Sequence, residues 1–241
     1  CDIICVNLVD RTAPGKIIDM AKKKNVPIIF FNRELVEEDL ERWDKLYYGG
    51  AEAKESGVLQ GELAAAYLKA HPEADRNQDG VIQYVVLEGE AGHQDAILRT
   101  EYAASTLKER GIALEKLGYA LANWNRSQAQ TQVQQLLQSY GTRIELILAN
   151  NDDMALGALD AYRASNIPLP PIFGIDGTEP GLSAVRDQSL TGTVKNNGIG
   201  QAEAMLSLAL SLAAGEKSAY TLDRGKYIRI PYEAVSADKD S

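Results

Sequence analysis

Cysteine is almost absent: the 241-residue chain holds only Cys1 and Cys5. Both lie in the run CDIICVNLV, whose composition predicts a buried parallel strand. Four residues of strand would hold them roughly 13 Å apart at about 3.3 Å per residue, beyond disulfide reach. They cannot bridge to each other. Cys5 is expected to be a small apolar core residue. Cys1, followed by Asp2, also fits the first residue of a mature bacterial lipoprotein, although a strand begins where a flexible tether would be expected. The other reading is a chain numbered from the middle of a longer protein.

Positive charge is also in short supply, with 25 Lys and Arg against 34 Asp and Glu and a net charge of −9. No extended Lys/Arg-rich run interrupts this acidic surface, so there is no electrostatic footprint for DNA, RNA or anionic lipid. Long hydrophobic runs are missing too. Nothing approaches the roughly 20 apolar residues that span a bilayer, and no charged segment leads into a signal-type apolar stretch. Low-complexity tracts and solenoid-period repeats are absent.

What is present is an ordinary globular balance, 45% hydrophobic and 24% charged, enough to bury a sizeable core. Strand-like runs at 2–8, 27–31, 82–87, 144–149, 171–175, 191–194 and 227–230 alternate with helix-period segments at 14–24, 53–70, 94–110, 126–139, 152–165, 178–187 and 198–214. This alternation predicts an α/β fold of parallel sheets flanked by helices. There are too many units for one small sheet, so two lobes are expected. Gly49-Gly50, Asn196-Asn197-Gly198 and Pro231-Tyr232 are the candidate crossings. They divide the chain into 1–49 with 196–231 and 50–195 with 232–241.

Residues 75–83 read DRNQDGVIQ, a D-x-N-x-D-G pattern. In such a loop the side-chain oxygens of Asp75, Asn77 and Asp79 converge on one cation while Gly80 permits the sharp turn. Val81 would add its backbone carbonyl and Gln83 its side-chain oxygen. The twelfth position is Val86 inside a strand, where an EF-hand has a bidentate Glu, so the last ligand must come from elsewhere. Glu145 in RIELILAN is the candidate. The ion expected is a structural Ca2+, since no Ser, His or open polar site nearby suggests catalysis. The bland alternative is a solvated Asp/Asn/Gly turn before a strand.

In open α/β sheets ligands bind beyond the carboxyl ends of the strands. Those ends carry Asn32-Arg33-Glu34, then His93, Asp95 and Arg99, then Trp124, Asn150-Asn151-Asp152, Asp176 and Asn196. Paired Asn donors and acceptors, Asp acceptors and Arg or His donors suit a neutral polyol. Trp124 could cover the apolar C–H face of a sugar ring. Taken singly, each has a plainer reading as a helix N-cap, Asp152 and Asp176 especially.

The segments NVPIIFFNRE, YYGGAEAKESGVLQGE, DRNQDGVIQYVVLEGEAGHQDAILRT, IELILANNDDMALGA, FGIDGTEPG and GTVKNNGIGQA resemble the bacterial galactose/glucose-binding proteins. These are periplasmic receptors of sugar ABC transporters that also serve chemotaxis, and the likeness runs over essentially the whole chain. It implies a two-lobed periplasmic-binding-protein type I fold and a receptor for glucose or galactose. The implied partners are a membrane permease and a chemoreceptor, and the implied place is the periplasm, or a bacterial membrane if Cys1 is lipidated. By resemblance, Asn32 would hold the sugar from one lobe and His93, Asp95, Arg99, Asn151 and Asp176 from the other, with Trp124 stacking and Asn196 at a hinge. Calcium would take Asp75, Asn77, Asp79, Val81, Gln83 and Glu145.

The chain departs from that family at its start, where two βα units, roughly sixty residues at about thirty per unit, have no counterpart before CDIICVNLV. The first lobe is therefore expected to be incomplete, with strand 2–8 at an edge covered in the native molecule by a segment upstream of Cys1, after Ser241 or from a partner chain. Two competing functions share the fold: the effector-binding core of a LacI-like transcriptional repressor, and a sugar-processing enzyme using Asp95 and Asp176 as paired carboxylates. The first lacks a helix-turn-helix, and no Ser-His-Asp or metal-water arrangement supports the second.

Overall fold

The structure is a computed structural model and describes residues 1–237. The last four residues of the 232–241 stretch lie outside the described residues. In chain order come β1 (Ile4–Val6), α1 (Gly15–Lys24), β2 (Ile28–Phe31), α2 (Glu37–Leu40), β3 (Leu46–Gly50) and α3 (Ala53–Ala70). Next are β4 (Ile82–Glu88), α4 (Gln94–Glu109), β5 (Leu114–Leu121), α5 (Arg126–Tyr140), β6 (Leu146–Ala149) and α6 (Asp152–Arg163). The chain continues through β7 (Ile172–Phe173), α7 (Glu179–Arg186), β8 (Gly192–Lys195), α8 (Gly198–Ala214), β9 (Tyr227–Arg229) and β10 (Glu233–Ser236). The parallel α/β class read from the alternation is the observed one.

Two compact units divide the chain, Cys1–Glu52 with Asn197–Pro231, and Ala53–Asn196 with the chain from Tyr232 onward. The first has a parallel sheet in the order β1-β2-β3-β9. Ile28 and Phe30 point to one face, where they meet Ile18, Leu40, Leu46 and Tyr48, and Ile29 points to the other, against Ala204, Leu208 and Ile228. This is the period-two alternation of a strand buried on both faces.

The run CDIICVNLV departs from expectation. It forms only the three-residue edge strand β1, and Cys5 is exposed. An edge strand has one neighbour, here β2, so its side chains lack the second wall that buries those of β2. Ile199, Leu206 and Leu210 on the outer side of α8 are exposed as well.

The second unit has a six-stranded sheet in the order β10-β8-β7-β6-β4-β5, parallel except for β10, which runs antiparallel to β8. Strands β4 and β6 are mostly apolar and almost wholly buried, as central parallel strands require. Val85, Leu87, Ile147 and Ala149 pack against α5 and α6 residues such as Val133, Met154 and Leu159. Among the described residues no helix is long and apolar enough to cross a membrane.

Helix starts follow the strand exits, and polar side chains there close the first turns. His93, Asn125, Asn151, Thr178 and Asn197 each accept a hydrogen bond from a backbone N–H of the helix they begin. The plainer reading of Asp152 and Asp176 as helix N-caps does not hold. Asp152 sits inside the first turn of α6 behind Asn151, and Asp176 precedes α7 by three residues with a φ of +117°.

Candidate functional site

Arg99 organises the carboxyl end of the second sheet. It lies on α4 beside the β6 exit and is 4% exposed. Its Nη1 donates to the Asn150 carbonyl at 2.8 Å and lies 3.5 Å from Asp176 Oδ1. Its Nη2 donates to the Tyr232 hydroxyl at 3.3 Å and lies 3.5 Å from Asp95 Oδ2. The remaining donor, Nε, is buried without a partner among the described residues. Burial works against the guanidinium charge, but Tyr232, Asp176 and Asp95 outweigh it and hold the group's pKa above its ordinary value.

Asp95 follows from α4 geometry, since residues four apart share a helix face and a carboxylate at 95 meets a guanidinium at 99. Its backbone N–H donates to His93 Nδ1 at 3.1 Å, which assigns the ring proton to Nε2. Burial pushes the Asp176 carboxyl up to about 6 against the opposing pull of Arg99.

Trp124 completes the cluster from the β5 exit. The His93 ring meets the indole edge-on at 5.1 Å between centroids, and the Arg99 guanidinium carbon lies 5.8 Å from the ring centre. Asn123 and Trp124 have φ of +49° and +62°, an uncommon pair for residues with side chains, and local strain of this kind concentrates at functional sites. Asn151 reaches the same place, its Nδ2 donating to the Trp124 carbonyl at 3.4 Å.

Of the residues picked from the sequence, His93, Asp95, Arg99, Trp124, Asn151 and Asp176 thus lie together on the second unit. Asn196 joins through its backbone, its N–H donating to the Asp176 carbonyl at 2.9 Å. Asn32 belongs to the first unit. It is exposed, has a φ of +62°, and accepts from the Tyr48 hydroxyl through its carbonyl. Sequence reasoning missed Tyr232, which no motif marks, and the part played by Asn150. The Asn150 Oδ1 accepts from the Gly89 N–H at 3.1 Å and its Nδ2 donates to Thr100 at 3.1 Å.

The loop at 75–83 leads into β4 from the sheet's other end. Asp75 Oδ2 accepts from the Gly80 N–H at 2.8 Å, and Gly80 takes the positive φ, +80°, that its place in the loop demands. Asn77 Oδ1 accepts from the Asp79 N–H, and Asp79 Oδ1 from the Val81 N–H, each at 2.8 Å. The Val81 amide, aided by the Asn77 and Gln83 side chains, holds the Asp79 carboxyl below its ordinary value. Asn77 Nδ2 reaches Asp79 and Gln83, and buried Glu145 accepts from the N–H groups of Arg76, Asn77 and Gln83.

Among the described residues, no three His, Cys, Asp or Glu side chains form a metal-holding group. Half of the anticipated donors here are amide or backbone oxygens. Asp75 Oδ1 is buried with no hydrogen-bond partner among the described residues, an orphan acceptor in a loop whose other carboxylate oxygens are met by N–H donors. The donor set, all oxygen and with three carboxylates, suits a hard cation.

Residues 1–217 match the periplasmic binding protein domain. The chain belongs to that family. This periplasmic binding protein is 39% identical over 242 residues to the D-galactose/methyl-galactoside binding periplasmic protein MglB of Haemophilus influenzae, covering 99% of the chain and 72% of the relative. It is 31% identical to the xylitol-binding protein of Mycolicibacterium smegmatis, covering 89% of the chain and 57% of that protein. An ABC transporter solute binding protein of Bacillus halodurans, solved with bound myo-inositol, superposes with a TM-score of 0.82 at 31% identity, over 99% of this chain and 75% of that one. The repressor alternative is overturned, because the matching family is that of periplasmic solute receptors. These relatives are binding proteins, in keeping with a non-enzymatic role.

Proposed function

We propose that this periplasmic binding protein is a receptor for glucose or galactose that serves a sugar ABC transporter. The observation that carries the reading is the Arg99 cluster. A buried guanidinium keeps one donor, Nε, unpartnered, while two carboxylates beside it, Asp95 and Asp176, have lone pairs to spare. A sugar hydroxyl is donor and acceptor at once, so one hydroxyl can accept from Nε and give its proton to a neighbouring carboxylate. The Trp124 indole beside them offers an apolar face for ring C–H groups.

The identity to a galactose-binding relative supports the hexose. Likeness to inositol- and xylitol-binding proteins favours a second reading, a polyol that is not an aldose, because its hydroxyls make the same demands. A membrane permease is the proposed partner, with a chemoreceptor as a further one, and membership of the family supports a periplasmic location. A structural Ca2+ is proposed for the 75–83 loop, held by Asp75, Asn77, Asp79, the Val81 carbonyl, Gln83 and Glu145. The ion would neutralise carboxylates now held only by N–H groups.

Titration calorimetry with glucose, galactose, myo-inositol and xylitol, followed by chromatography of the recovered ligand, tests the reading. Saturable heat with an unchanged hexose supports it. Tighter binding of inositol or xylitol replaces the hexose with the second reading, and chemical turnover of the sugar sinks the receptor altogether.

A further inference from the structure

Asp152, the first residue of α6, is 0% exposed. Its Oδ2 accepts from the Thr178 N–H at 2.7 Å and the Thr178 hydroxyl at 3.1 Å. Its Oδ1 accepts from the Thr193 hydroxyl at 2.5 Å, and its own N–H donates to the Ile175 carbonyl at 2.7 Å. The carboxylate thus ties together α6, the 176–178 loop and β8. Two glycines leave room for it: a Cβ at Gly174 or Gly181 would fall 2.3 or 2.2 Å from its oxygens.

The loop so tied holds Asp176 at a φ of +117°, a backbone conformation that residues with side chains rarely adopt. Such a conformation persists only where the surroundings over-determine it. The surroundings are the Asp152 bonds to Thr178 on one side and the β8 backbone on the other. The Asp176 N–H donates to the Val194 carbonyl at 2.8 Å, and its carbonyl accepts from the Asn196 N–H at 2.9 Å. In that pose the side chain lies 3.5 Å from Arg99.

We propose that Asp152 is a positioning residue, which acts through Thr178 and Thr193 to hold Asp176 in the pose that lets its carboxylate face Arg99 and a bound polyol. It touches no ligand itself. The inference rests on the reading of Asp176 as a sugar ligand, and two measurements separate the two claims.

The first needs no ligand. In Asp152→Ala, amide hydrogen exchange at Asp176 and Asn196 should speed up by about tenfold or more, the loss of roughly 1.4 kcal/mol of local protection, while β4 and β6 amides are unchanged. Asp152→Asn should return both amides to within about threefold, since its oxygen still accepts from Thr178 and its amide can donate to the Thr193 hydroxyl. Unchanged exchange, or a uniform rise across the sheet, overturns the proposal. The second is glucose affinity. Asp152→Ala should weaken it about tenfold in the parent protein and less than about twofold in an Asp176→Ala background, because the two act as one unit. Equal losses in both backgrounds overturn it. Should Asp152→Ala not fold, Thr193→Val carries both measurements with the same pattern. A parent that binds no sugar or polyol sinks the functional reading, and the exchange result still decides the positioning.

Discussion

Gly89 lies directly beneath the Trp124 indole: a Cβ built on it would stand 2.2 Å from the ring. The β4 exit and the β5 exit therefore meet through a glycine backbone and an aromatic face, and the indole's placement depends on the absence of a side chain at 89. Gly89→Ala should push the ring off its seat beside His93 and Arg99. Glucose binding is expected to weaken by a similar amount to Trp124→Ala, about 1–3 kcal/mol for loss of a stacking surface in a buried site. Calorimetry on both variants checks this. Normal binding by both would mean that the site lies elsewhere.

The Asp176 carboxyl, pushed up to about 6 chiefly by burial, makes binding depend on pH. A sugar hydroxyl donates to the carboxylate and not to the acid, so ligand favours the ionised form and lowers the group's pKa. Affinity should fall as pH drops through about 6, and Asp176→Asn should flatten the profile. In the free protein the sign is reversed. The folded pKa stands above the ordinary carboxyl value of about 3.9, so this group's contribution to stability is greatest below that value and is lost as pH rises through about 6. Calorimetric affinities from about pH 5 to 8 test the first statement, and a parent profile as flat as that of the Asn variant would sink it.

Tyr232→Phe removes one oxygen, the hydroxyl that accepts from Arg99 Nη2. The variant keeps the ring and its packing while leaving a buried donor unmet. Sugar affinity should drop by about 0.5–1.5 kcal/mol, the usual worth of such a bond. Unaltered affinity would show that Asp95 and Asp176 suffice to hold the guanidinium.

Calcium should raise the melting temperature, by about 5 °C or more at a hundredfold excess over its dissociation constant. Asp79→Ala should abolish that rise. Differential scanning calorimetry with calcium and with chelator decides the matter, and a melting temperature indifferent to both would leave the 75–83 loop as an ordinary turn.

Much of this protein follows from short-range pattern. Alternating apolar strands and helix-period segments specify parallel α/β architecture, because each βα unit carries its own periodicity and punctuation within about thirty residues. The same locality made the strand exits readable as a list, and the D-x-N-x-D-G loop readable as a tight turn closed by its own Asp and Asn oxygens, since turn chemistry is written in consecutive residues. What the tertiary structure alone decided is which distant groups meet. Arg99 and Tyr232 stand 133 positions apart, and Asp152 finds Thr193 across 41. Asn151, extended in backbone, caps α6, while the neighbouring Asp152 carboxylate accepts from the Thr178 and Thr193 hydroxyls. Cys5, apolar in its local run, is exposed because its strand has a neighbour on one side only. Burial and long-range hydrogen bonding are properties of what surrounds a residue, and no window of sequence contains them.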